Sequence, residues 1–311
     1  MLAFYSDRFV LPLHAQHRFP MRKYQLLRDR VAAEITGIEL AEATAATDGE
    51  LALAHSPSYI EAVSGGFLTP AQQREIGFPW SPQMAERARR SVGATIDAAR
   101  AALREGVATN LAGGTHHAMS DRGSGFCVFN DVAVAARLMQ AEWHRQHRKL
   151  LRVAVIDLDV HQGNGTAAIF ADDPTVFTLS LHGQLNFPFR KEQSDIDVGL
   201  PDGCGDDEYL NALDEALERV WAHHAEDPPG LVFYLAGADP HEGDRLGRLK
   251  LTAAGMAERD RRVMEATRLR SIPVAMSMAG GYGRVIEDTV SVQIATLSAA
   301  QASWEQRNGR S

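Results

Sequence analysis

Leu151-Arg152-Val153-Ala154-Val155-Ile156, followed at once by Asp157-Leu158-Asp159-Val160-His161-Gln162-Gly163-Asn164-Gly165, is the most informative stretch of this 311-residue chain. Its first half is a short apolar run rich in β-branched residues, the composition of a buried strand. Its second half is polar and ends among glycines, the composition of a loop. In extended chain, side chains two apart point to the same side. Asp157, Asp159 and His161 can therefore present two carboxylates and an imidazole to a common point. So much negative charge is costly to hold together unless something cationic neutralises it, and a divalent metal ion meets that need. A row of carboxylates capping a strand for purely structural reasons is the plainer reading of the same residues.

Further apolar runs lie at 107–111, 176–181, 231–235 and 272–278, and like 153–156 they lack the alternation of a half-wetted sheet. Helical stretches separate them. One is expected over 82–105, with Ser81 as cap and Pro82 in the first turn. A second runs over 131–147, with apolar Val134, Leu138 and Trp143. A third covers 207–223, opened by the acids Asp206, Asp207 and Glu208, and a fourth covers 253–269 after Thr252. Alternation of this kind predicts an α/β fold, a central mostly parallel β-sheet flanked by helices on both faces. No repeat, low-complexity tract or linker divides the chain, and Pro228-Pro229 reads as a turn before a strand, so one domain over 1–311 is expected. Ligands of such sheets bind beyond the carboxyl ends of the strands.

Polar or glycine-rich clusters sit at those ends. Ala112-Gly113-Gly114-Thr115-His116-His117 follows the first run, and imidazole can take a proton from water and return it to a leaving amine. Leu235-Ala236-Gly237-Ala238-Asp239 places another carboxylate past a strand, followed by His241, Glu242 and Asp244. Met278-Ala279-Gly280-Gly281-Tyr282-Gly283 sets a tyrosine among glycines, where backbone can approach a ligand closely and a phenol can donate to a developing oxyanion. Each cluster alone also fits an ordinary use: solvated loop histidines, a helix cap, a surface turn. Their recurrence at matching strand ends favours chemistry.

Composition sets the outer limits. A chain that is 45% hydrophobic and 23% charged has the make-up of a globular protein with a substantial core. No apolar run approaches the roughly 20 residues that span a bilayer. Residues 1–8 lack the pattern of a secretory signal, and Cys127 and Cys204 are too few and too far apart for a disulfide framework, so a cytoplasmic location is expected. A formal charge of -8 argues against a general polyanion binder, so neither nucleic acid nor membrane is an expected partner. The one basic cluster, Arg18, Arg22, Lys23, Arg28 and Arg30 within 14–30, reads as a solvated helix face or as a contact surface for substrate or a second subunit.

Taken together, the motifs resemble the histone deacetylase family, which includes bacterial deacetylases and acetylpolyamine amidohydrolases. The resemblance rests on GGTHHAMSDRGSGFCVFND at 113–131, DLDVHQGNG at 157–165, LSLH at 179–182, AGADPHEGDRLG at 236–247 and AGGYG at 279–283, and runs from about residue 17 to 286. The DRGSGFC, HQGNG and EGDRLG variants are most similar to the class IV branch and its bacterial relatives. The resemblance implies an arginase/deacetylase-like fold and one catalytic zinc ion held by Asp159, His161 and Asp239, leaving a coordination position open. Two carboxylates and a neutral imidazole cancel the ion's formal charge, so such a metal acidifies water less than a three-imidazole site and a protein base becomes useful. The resemblance makes His117 the general base and later acid, with His116 acting electrostatically. It sets Asp157 beside His116 and Asn164 beside His117; a neutral Asn raises its partner's pKa less than an aspartate does. Tyr282 would polarise the scissile carbonyl, and Phe126, Phe187 and Gly125 would wall a tunnel for an acyl-lysine stem. The carbonyls of Asp157, Asp159, His161 and Leu181, with the side chains of Asp157 and Ser180, match a structural potassium site. Two departures stand out: Met278-Ala279 where glycines usually precede the tyrosine, and no glycine after the proline in Asn186-Phe187-Pro188-Phe189-Arg190.

The implied function is removal of acyl groups, acetyl or longer, from N-acyl-lysine side chains of proteins or peptides by metal-activated water. Deacetylation of an acylated polyamine is the neighbouring alternative. A binuclear manganese hydrolase of the arginase type would need a second Asp two residues beyond Asp239, where His241 stands. A non-catalytic acyl-lysine binding protein would most simply have lost a ligand, the base or the tyrosine, and none is lost. Ferrous iron suits the same oxygen and nitrogen ligands as zinc.

Overall fold

In the computed structural model, which describes residues 1–14 and 17–309, each predicted apolar run becomes a strand. Residues 15, 16, 310 and 311 of the expected domain lie outside the described residues. In chain order the elements are β1 (Leu2–Tyr5), α1 (Arg22–Glu34), β2 (Glu39–Glu42), α2 (Asp48–Leu51), α3 (Pro57–Gly65), α4 (Pro70–Ile76), α5 (Pro82–Glu105), β3 (Val107–Asn110), α6 (Asp131–His147), β4 (Val153–Asp157), α7 (Asn164–Phe170), β5 (Val176–Gly183), β6 (Ile196–Leu200), α8 (Asp206–His223), β7 (Leu231–Leu235), α9 (Ala253–Leu269), β8 (Val274–Ser277) and α10 (Ile286–Arg307).

The strands form one eight-stranded sheet in the order β2-β1-β3-β8-β7-β4-β5-β6. Every pairing is parallel. Alternation of side chains sends Val153 and Val155 of β4 into a core shared with α5 and α6, and Ala154 and Ile156 into a second core shared with α1, α8, α9 and α10. Burial on both faces is why these strands read as unbroken apolar runs. Helix starts follow local chemistry: Ser81 accepts from the Met84 N–H with Pro82 next, Asn130 from Ala133, and Thr252 from Gly255. The third predicted helix begins one residue earlier than expected, at Asp206.

The elements not anticipated are β1, β2, β6, α2, α3, α4, α7 and α10. β1 and β2 form one margin of the sheet; β2 is a partly exposed four-residue strand with little apolar signal, whereas β1 is a short apolar run that the sequence reading passed over. α7 begins at Asn164 inside a stretch whose glycines read as loop. No helix among the described residues is long and apolar enough to cross a membrane.

With all strands parallel, their carboxyl ends share one edge, and β3, β8, β7 and β4 are consecutive neighbours there. The four loops bearing His116 and His117, Tyr282, Asp239, and Asp159 and His161 therefore emerge side by side.

Candidate functional site

The loops converge as the topology requires. One ligand atom each from Asp159, His161 and Asp239 lies within 4.8 Å of the others, and all three residues are buried. Asp159 Oδ1 accepts from the His161 backbone N–H at 2.9 Å, and Asp239 Oδ1 from the Val160 N–H at 3.0 Å. The second oxygen of Asp239 is buried with no hydrogen-bond partner and faces His161 Nδ1 at 3.3 Å. Gly280 is required here by close approach: a Cβ would sit 2.0 Å from Asp239 Oδ2 and 2.5 Å from Asp159 Oδ2. Its N–H instead donates to Asp159 Oδ2 at 2.7 Å.

Electrostatics show what the cluster wants. Burial disfavours a charged His161, yet Asp159 and Asp239 outweigh it and push that imidazole up to about 10. Burial and the neighbouring Asp159 raise Asp239 to about 6, while Asp159, despite burial, is held low by His116 and His161. A pocket that draws a proton this strongly has the field to draw a cation. The orphaned Asp239 oxygen and the oxygen and nitrogen donor set both fit a divalent ion such as zinc or ferrous iron.

Asp157 is the exception to the expectation that the carboxylates of 157–161 meet at one point. It is the last residue of β4, beyond which the chain bends, and its Oδ2 turns to His116 Nδ1 at 2.6 Å. Burial works against a charged His116, but Asp157 and Asp159 prevail and raise it to about 9. His117, its ring centroid 4.2 Å from that of His116, differs sharply. Its Nδ1 bonds the Asn164 side-chain oxygen at 2.7 Å, and burial followed by the charges of His116 and His161 lowers its pKa well below the ordinary value. With Nδ1–H donated to Asn164, Nε2 is the free acceptor. Two adjacent histidines are thus driven in opposite directions: the Asp157 and Asp159 carboxylates raise His116, while burial and the charges of His116 and His161 lower His117 against the opposing pull of its Asn164 bond.

Tyr282 completes the ring of groups, its centroid 6.4 Å from that of His161. Burial, then Asp159 and Asp239, raise its pKa well above the ordinary value, so the phenol keeps its proton. Ala279, where the family resemblance would have a glycine, adopts φ 47°, a left-handed conformation usually left to glycine. Phe126 and Phe187 line one mouth with His117, Gly125 and Tyr282. The Phe187 ring stands edge-on to His117 with centroids 4.9 Å apart, so the missing glycine after Pro188 does not remove it from the wall. Tyr282 also borders a cavity lined by Phe19, Phe78, Met84 and Arg87. Asp157 and Ser180 are register partners on β4 and β5, with Leu181 next along; the Ser180 hydroxyl bonds His182 Nδ1 at 3.0 Å.

Several supporting residues were invisible to sequence reasoning. Arg259 of α9 is fully buried, donates to the Gly237 carbonyl at 2.6 Å and the Leu158 carbonyl at 3.3 Å, and pairs with Asp260 at 2.7 Å, tying together two ligand loops. Nothing in the sequence separates it from Arg261 and Arg262. Asp131 accepts from the Gly114 and Thr115 N–H groups and holds the histidine loop. Asp244 accepts from the Tyr282 N–H at 2.6 Å. Neither reading of the basic cluster covers Lys23, which is buried, donates to the Gly281 carbonyl at 3.1 Å and lies 5.2 Å from the Tyr282 ring centroid. Arg30 pairs with Glu34 one turn on, as on an ordinary helix face, Arg28 pairs with the buried Asp7 after β1, and Arg18 is at the tunnel mouth.

Comparison with known proteins agrees with this geometry. The histone deacetylase domain matches residues 16–297. The chain belongs to the histone deacetylase family. It is 45% identical over 293 residues to an uncharacterized protein of Picosynechococcus sp., covering 92% of this chain and 93% of that one. It is 34% identical over 255 residues to histone deacetylase 2 of Arabidopsis thaliana, covering 78% of this chain and 64% of that protein. The crystal structure of a histone deacetylase homolog from Aquifex aeolicus superposes with a TM-score of 0.80 at 25% identity, covering 100% of this chain and 84% of that one. Membership supports a hydrolytic deacetylase activity and a metal cofactor, for which the buried Asp-His-Asp group is the candidate site.

Proposed function

We propose that residues 1–311 form a single zinc-dependent deacetylase domain that removes acyl groups, acetyl or longer, from N-acyl-lysine side chains of proteins or peptides in the cytoplasm. The observation that carries this reading is the assembly of Asp159, His161 and Asp239 into one metal-sized cluster with His117, bonded to Asn164, and Tyr282 around it. When bound there, a divalent ion supplies Lewis acidity toward water and the scissile carbonyl. His117 Nε2 takes the proton from water as it adds to the carbonyl and returns it to the departing amine. Tyr282 donates a hydrogen bond to the carbonyl oxygen as negative charge develops. His116, kept cationic by Asp157, adds positive potential behind that charge, and Asn164 keeps the His117 acceptor pointed at the site. Phe126 and Phe187 would sandwich the aliphatic stem, with Gly125 allowing close approach. Asp157, Ser180 and Leu181 would bind a structural potassium ion, as the family resemblance implies.

Metal-reconstituted protein incubated with acyl-lysine peptides and acylated polyamines, with products read by mass spectrometry, tests the reading. Release of free lysine peptide is expected. Binding of those peptides without turnover in metal-replete protein would instead support a non-catalytic acyl-lysine binding protein, and exclusive turnover of polyamines would move the substrate class.

A further inference from the structure

The rim of the tunnel contradicts the charge of the chain that builds it. The formal charge is -8, yet the mouth is lined by Arg18, Arg74, Arg122, Arg190, Arg245 and Arg248, against Glu75 as its one acidic lining residue among those described. We propose that this rim selects acyl-lysine embedded in an acidic segment of polypeptide, an inference that rests on the deacylase reading above.

The six arginines come from five separate stretches: the segment before α1, α4, the loop between β3 and α6, the loop between β5 and β6, and the loop between β7 and α9. Convergence from so many segments is not explained by the charged face of one helix. Part of the charge is already neutralised, since Arg122 pairs with Asp121 at 3.0 Å and Glu75 at 3.7 Å, and Arg248 with Asp202 at 3.0 Å. Arg245 is spent on backbone, donating to the Tyr282 carbonyl at 2.9 Å and the Arg18 carbonyl at 3.2 Å, which leaves its charge at the mouth uncompensated. Arg18, Arg74 and Arg190 are exposed and form no ion pair among the described residues.

Guanidinium groups match carboxylates in a two-pronged geometry, and a pocket lined by one sign of charge concentrates ligands of the other. The same rim repels a polyamine or a lysine-rich flank, because like charges brought together are costly. Leu185 and Phe189, 56% and 85% exposed on the same rim, offer apolar contact to residues beside the acyl-lysine, which favours a polypeptide over a small anion.

The test uses the metal-reconstituted chain and three acetyl-lysine peptides of equal length, flanked by Asp and Glu, by Ser and Gly, or by Lys and Arg, together with an acetylated polyamine. The acidic peptide is expected to exceed the basic one in kcat/KM by about tenfold or more at low ionic strength, mainly through KM. The ratio should shrink as salt is raised at constant potassium. In the double variant Arg74→Glu, Arg190→Glu the ratio, measured within that one protein, should fall or invert; if the variant does not fold, the salt dependence of the parent carries the test. Equal kcat/KM for all three peptides, or preference for the basic peptide or the polyamine, would overturn the rim inference while leaving the deacylase intact. Turnover of none of them would remove the deacylase reading and this inference with it.

Discussion

At the scale of single residues, the chemistry depends on how neighbours divide protons. His116 faces a carboxylate and holds a proton; His117 faces an amide and does not. Tyr282, buried beside two carboxylates, is locked as a donor. Removing one oxyanion donor typically costs a hundred- to a thousandfold in turnover. Tyr282→Phe is therefore expected to lower kcat by about that factor, with metal content and fold intact by elemental analysis and circular dichroism. Turnover near the parent rate would take the phenol out of the reaction. That His116, His117 and Tyr282 lie together was legible from residue types and strand-end position once the family resemblance was seen. The direction in which Asp157 points was not, because the bend after β4 breaks the alternation that the extended-chain reading assumed.

At the scale of elements, helices and loops hold one another through buried polar groups that no propensity signals. His55, between α2 and α3, accepts the Asn130 N–H at 2.8 Å through Nε2, and Asn130 caps α6. An imidazolium has no lone pair for that bond, and burial lowers the His55 pKa to about 4. The unfolded chain takes up a proton near pH 6.5 while the folded chain resists until about 4. The stabilisation of the neutral form is thus fully present above pH 6.5 and is lost as pH falls between those values, by on the order of 3 kcal/mol. Urea unfolding midpoints should show the drop, and His55→Gln, which can still accept but cannot titrate, should show less of it. Identical pH profiles for the two proteins would mean that His55 does not carry the dependence.

At the scale of the whole molecule, the parallel sheet lines up four loops from residues as far apart as 116 and 282, and the metal cluster is the point where they meet. An ion bound only by the folded state stabilises it in proportion to the logarithm of its concentration over Kd, about 2.7 kcal/mol at a hundredfold excess. Adding zinc to chelator-treated protein is expected to raise Tm by several degrees and to titrate at one ion per chain, and Asp239→Asn should abolish most of that rise. A stoichiometry of two would revive a binuclear site.

The reach of the sequence follows from the range of the forces involved. Unbroken apolar runs, capping residues and the spacing of Asp159 and His161 are local properties, so the α/β class, five of the eight strands, four of the ten helices among the described residues and the ligand candidates could be read along the chain. The clamp of Arg259 on two ligand loops, the burial of Lys23 beside Tyr282 and the ring of arginines at the mouth join residues that are distant in sequence and chemically ordinary where they stand. Only the packed fold brings those groups within a few ångströms, where desolvation and charge decide what each one does.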